Sequence, residues 1–171
     1  ERILADHLGT GLSVAEADDL LRLEIAETVG TLESEAGRVA PGAADWRAAM
    51  ETIPRPAIGP GGLVGLYREA VADLEEHCQT VGLVSPETVA ACPVRVAPVP
   101  DYLSAVRTAS AYAIPPGHPP AGGTFYVIGA DDPAEAARGY HREYRILTAH
   151  ETYPGHHLLD ISRWANPRPL R

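Results

Sequence analysis

Residues 144–161 read "YRILTAHETYPGHHLLDI". A His-Glu pair at 150 and 151 is followed, across Pro154-Gly155, by two adjacent histidines. The zinc-protease helix H-E-x-x-H sets its second histidine one turn after the first, where both imidazoles reach one metal. Here the position four after His150 is Pro154, which has no metal-binding group. His156 and His157 lie six and seven places on, a rise of about 9 and 10.5 Å along a straight helix whose turn is about 5.4 Å. A straight helix therefore cannot bring these histidines together. Pro154 removes an N–H and clashes with the preceding turn, so the helix must bulge or break there. Gly155 admits backbone angles that other residues resist, so the chain can fold back and return a histidine to His150. A helix that simply ends at "YPG", followed by two loop histidines, is the competing reading.

The helix leading into this stretch begins well upstream. Asp132 as N-cap, Pro133 in the first turn and Glu135 two residues later predict its start. Tyr140, Tyr144, Leu147 and Glu151 share one face, so His150 and Glu151 close a helix of about five turns. Just before it, "GGTFYVIGA" predicts a strand over Thr124–Ile128, β-branched or aromatic throughout with glycines on both sides. "CPVRVAPVP" alternates Val94 and Val96 between prolines and suits a short edge strand. "YAIPPGHPPAGG" between them is Pro/Gly-rich and reads as loop, with His118 as a solvated residue in it.

The first half is helical. Ser13 and Glu16 form a capping-box pattern, after which Leu21, Ile25, Val29 and Leu32 recur at helical spacing. Gly37 and "APGA" end that helix, and "DWRAAMETI" is a short one closed by Pro54. "PRPAIGPGG" is a rigid connector. A second long helix runs from Leu63 to Thr80 with Leu63, Leu66, Ala70, Val71, Leu74 and Cys78 on one stripe. His77 lies beside that stripe as a partly exposed helix residue. The expected fold is mainly α, with a small β-strand pair next to the metal-binding helix, in one partial domain. Its helical part covers about 1–82, a strand and loop part about 83–130, and a metal helix about 132–160.

Bulk composition narrows the function. The 171 residues carry 14 basic and 23 acidic side chains, for a net charge of -9, and every basic one is Arg. No basic stripe exists for a nucleic-acid backbone. No apolar run approaches the roughly 20 residues of a membrane helix, and "ERILADHLGTG" has no signal-peptide core. Cys78 and Cys92 form no metal-spaced group and suit two free thiols.

"HETYPGHHL" closely resembles the H-E-x-x-P-G-H-H signature of the bacterial domain-of-unknown-function 885 family. "GLSVAEADDLLRLEIAETV", "LVGLYREAVADLEEH" and "SAYAIPPGHPPAGGTFYVIG" fit that family's order of helix, helix and proline-rich strand. The resemblance covers nearly the whole chain, the octapeptide being its specific part. It implies a mostly helical, zincin-like metallopeptidase of the gluzincin type. Carried over, it makes His150 a zinc ligand and Glu151 the general base that activates water. The second ligand is His156 or His157, with His156 favoured and its neighbour left as a supporting or substrate-binding group. Tyr126 on the strand and Tyr153 in the turn are candidates for stabilising an oxyanion, with packing as the alternative role for each. The third ligand of the family, a Glu within a sequence resembling E-G-W-A-x-Y, has no counterpart here, and Asp160 follows the histidines too closely to replace it. The expectation is a piece of a longer protein, weak in zinc binding and in activity by itself. The expected reaction is hydrolysis of a peptide or related amide lying along "TFYVIG" by strand addition. A helical binding module without catalysis, or a metal-binding protein without hydrolysis, are the alternatives.

Overall fold

The computed structural model of the chain describes residues 9–106, 109–114, 120–129 and 142–165. The N-cap at Asp132 and the loop residue His118 lie outside them. The described chain is mainly helical with a small three-stranded sheet. It packs as two compact units that meet in sequence between Pro54 and Arg55, inside the connector that the prolines and glycines of "PRPAIGPGG" mark.

In the first unit, α1 spans Val14–Val39. Its start is the capping box: Ser13 Oγ accepts from the Glu16 N–H at 3.2 Å, and Glu16 Oε2 accepts from the Ser13 N–H at 2.8 Å. α2 spans Trp46–Thr52, with Asp45 Oδ1 accepting from the Ala48 N–H at 2.8 Å. The helical period was legible, but the stripe it predicts is not interior. Leu21 and Ile25 are each 62% exposed, and Val29 and Leu32 are exposed too. Within this unit α1 is 26 residues long and α2 seven, so α2 is too short to cover the stripe; Ala36 and Ala49 are the buried positions of the two helices.

The second unit holds the core. α3 spans Gly62–Thr80 and buries Leu63, Leu66, Tyr67, Ala70, Val71 and Cys78. It ends in a Schellman motif: Leu83 N–H donates to Cys78 O at 2.8 Å and Gly82 N–H to Gln79 O at 3.1 Å. Gly82 sits at φ +76°, where a side chain would be strained. α4 spans Pro86–Ala91, capped by Ser85. β1 is Val94–Pro98, α5 Asp101–Ser104, β2 Ala111–Ala113 and β3 Gly123–Val127.

The strand order is β1-β3-β2, with β1 parallel and β2 antiparallel to β3. This corrects the sequence expectation twice. The sheet has three strands rather than a pair, because Ala111–Ala113 pairs with Thr124–Tyr126, and Tyr112 and Ala113 lie in the stretch expected to be loop. And "TFYVIG" is the central strand, its two sides taken by β1 and β2, so it offers no free edge for an added peptide strand. Among the described residues β1 is an edge, as the bracketing prolines suggest.

α6 spans Tyr144–Glu151 and α7 spans His156–Ala165. The helix expected to run about five turns into Glu151 begins, among the described residues, at Tyr144 with Glu143 as its N-cap. Within the metal segment expected over about 132–160, the break expected at Pro154 is residues 152–155, which separate α6 from α7. α3 packs on α6 and on the sheet. Tyr67 is the pivot, edge-on to Phe125 with ring centroids at 5.4 Å and to Tyr144 at 6.3 Å. Phe125 and Val127 point into this core while Thr124, Tyr126 and Ile128 alternate to the other face. On the surface, Arg145 pairs with Asp73 at 3.1 Å, joining α6 to α3. Among the described residues no helix is long and apolar enough to cross a membrane.

Candidate metal centre

The break between α6 and α7 builds the site. Two threonines prepare it by bonding back along the helix: Thr148 Oγ1 donates to Tyr144 O and Thr152 Oγ1 to Thr148 O, both at 2.6 Å. Such back-bonds compete with regular helix geometry and favour a bend. Thr152 then leaves the helical region, at φ -123° and ψ -96°. Pro154, joined to Tyr153 by a cis peptide bond, offers no N–H. Gly155 instead donates to Ala149 O at 2.9 Å, and Leu158 N–H to Thr152 O at 3.2 Å, so α7 starts folded against the end of α6.

Gly155 is required by close approach. A Cβ at this position would overlap the carbonyl oxygens of His150 and Ala149, both backbone atoms that cannot swing aside. With glycine there, the ring of His156 reaches that of His150, edge to face, with centroids 4.7 Å apart. Six residues apart in sequence, the two imidazoles are neighbours in space, and both are exposed.

His157 faces the other way. It is 0% exposed, with Nδ1 at 3.0 Å from the Tyr112 hydroxyl and Nε2 at 3.0 Å from the Cys92 carbonyl. Burial holds its pKa below the usual histidine value, against the opposing pull of the Cys92 carbonyl and Asp160. Both nitrogens are engaged, so of the two adjacent histidines it is His156 that is brought beside His150.

Glu151, next to His150 on the last turn of α6, is buried. Its Oε2 accepts from the backbone N–H of Tyr112 on β2 at 2.8 Å. A carboxylate held by a main-chain donor keeps one oxygen fixed and leaves the second with its lone pairs. The two tyrosines singled out from the sequence are elsewhere. Tyr126 lies on the face of the sheet opposite Phe125, whereas Tyr112 and His157 lie on the Phe125 side. Tyr153 is 0% exposed, packs edge-on to His157 at 5.1 Å, and has no partner for its hydroxyl. Burial, with the nearby Glu75 carboxyl, pushes its pKa up, so it stays protonated inside the core.

Sequence reasoning missed Tyr112, the Cys92 carbonyl that accepts from His157, and Gly123. The one signal for Tyr112 was an aromatic between small residues in "SAYAI", too weak to mark a strand. Gly123 lies beneath the Tyr112 ring, where any Cβ would collide with it.

Two exposed imidazoles beside an anchored carboxylate suit a borderline metal such as zinc. Among the described residues no group of three or more His, Cys, Asp or Glu that could hold a metal ion gathers. The model of the family described as "Bacterial protein of unknown function (DUF885)" matches residues 1–168. The chain belongs to that family. No curated protein and no solved structure matches it. In this DUF885 chain the octapeptide "HETYPGHH" is a helix end, a four-residue link and a helix start.

Proposed function

We propose that this DUF885 chain carries the two-histidine and glutamate part of a zinc-dependent peptidase or related amide hydrolase, of zincin-like type. The observation that carries the reading is the return of His156 to within 4.7 Å of the His150 ring, with Glu151 adjoining and anchored. His150 and His156 would hold the ion, with further ligands from outside this set. Zinc, when bound, supplies Lewis acidity toward water and toward a scissile carbonyl. Glu151 takes a proton from water on its unanchored oxygen and passes it to the leaving amine. The Tyr112 N–H keeps that carboxylate from rotating away. A peptide substrate would lie not on the central β3 but near β2, the edge strand whose backbone touches Glu151.

Binding of metal without hydrolysis is the second reading, favoured by the engagement of one Glu151 oxygen with the main chain. The test is zinc titration calorimetry together with turnover of a fluorogenic peptide mixture. His150→Ala and His156→Ala should each weaken zinc binding by about tenfold or more, and Glu151→Gln should keep zinc and lose turnover. Hydrolysis surviving in Glu151→Gln would sink the peptidase reading. Unchanged zinc affinity in either histidine variant would sink the metal site.

A further inference from the structure

The two adjacent histidines face opposite ways, and the inner one leads back to the carboxylate. The Cys92 carbonyl can only accept, so the proton of His157 sits on Nε2. With the ring neutral, Nδ1 is then an acceptor, and the Tyr112 hydroxyl must donate to it. The phenol and imidazole also meet edge to face at 5.4 Å. Tyr112 belongs to a strand of three residues, paired on one side only among the described residues. So short an edge strand frays readily unless something besides its ladder ties it down. Tyr112 has two such ties: its hydroxyl to His157 and its backbone N–H to Glu151. Gly123 completes the seat by leaving room for the ring, which a side chain would push off.

We infer that His157 and Tyr112 are positioning residues for Glu151: His157 pins the Tyr112 side chain, and this holds the Tyr112 N–H against the Glu151 carboxylate. The Gly155 turn therefore sets two things at once. It delivers His156 outward to His150, and it delivers His157 inward to the strand that steadies Glu151. The catalytic consequence rests on the hydrolase reading above; the structural linkage does not.

The linkage is read from hydrogen exchange at the residue-112 amide of the full chain, followed by NMR. Glu151→Ala removes the acceptor and defines the unprotected limit. Tyr112→Phe should speed exchange at that amide at least about fivefold toward the limit, with α3 amides unchanged. His157→Leu should do the same. His157→Gln should restore protection, since its amide can donate to Cys92 O and accept from Tyr112. Wild-type protection in Tyr112→Phe, or a Gln variant no better than Leu, overturns the inference. In parallel, zinc-loaded protein is assayed on the fluorogenic peptides, where Tyr112→Phe should lower kcat with KM unchanged. A raised KM with kcat unchanged would overturn the positioning role. Absent hydrolysis in protein that carries the complete ligand set would remove the peptidase reading, while the exchange result in this chain still decides the linkage.

Discussion

Replacing Gly155 with alanine tests the link on which the site depends. The added Cβ would overlap two backbone carbonyl oxygens, those of His150 and Ala149. Neither can rotate away, because both belong to the last turn of α6. Relief requires the link to move outward, which gives up the 2.9 Å bond from the Gly155 N–H to Ala149 O. That bond contributes about 1 kcal/mol, and forcing an extra methyl into a filled space costs about 1–3 kcal/mol. Gly155→Ala should therefore destabilise the second unit by about 2–4 kcal/mol. Thermal unfolding followed by circular dichroism should show its Tm lowered by about 10 °C. Because the same movement carries His156 away from His150, zinc titration calorimetry should show affinity reduced at least about tenfold. Gly65→Ala is the control: it lies within α3 with open space around its Cβ position, and should stabilise by about 0.5–1 kcal/mol. A Gly155→Ala protein with wild-type Tm and a wild-type zinc isotherm would refute the reasoning.

Three other outcomes follow from the same packing. Gly123→Ala should displace the Tyr112 ring and cost about 1–3 kcal/mol, checked by urea unfolding. Tyr67 is pushed up to about 12, by burial first and then by the Glu143 carboxylate. Its neutral form is favoured by folding, so its contribution is whole below pH 10 and drains as pH rises from 10 toward 12; phenolate absorbance and helicity should change together in that window. Asp73→Ala breaks an ion pair whose side chains are 66% and 60% exposed, and should change stability by less than about 1 kcal/mol in thermal scans.

The local signals in the text were the ones the structure obeys. Ser13 and Glu16 are three residues apart and need no other part of the chain to form their box. The α3 stripe from Leu63 to Cys78 is buried as its period requires, Leu74 partly so, and the helix before Pro154 ends at Glu151 as the proline demands. Long-range partners were not legible. β2 is too short, and too poor in β-forming residues, to stand out; it exists because β3 is beside it. The α1 stripe had the right period, but a period states which residues share a face and not what covers that face.

The amino-acid sequence by itself determined that residues 150–157 break a helix, because Pro154 lacks a donor and Gly155 lacks a Cβ. It also determined which side chains carry donor atoms. Only the tertiary structure decided how the two adjacent histidines divide. The turn sends the His156 ring to His150, and packing sends His157 inward, where a carbonyl 65 residues away and a hydroxyl 45 residues away take both its nitrogens. Those partners lie on other elements, and no spacing along the chain encodes them.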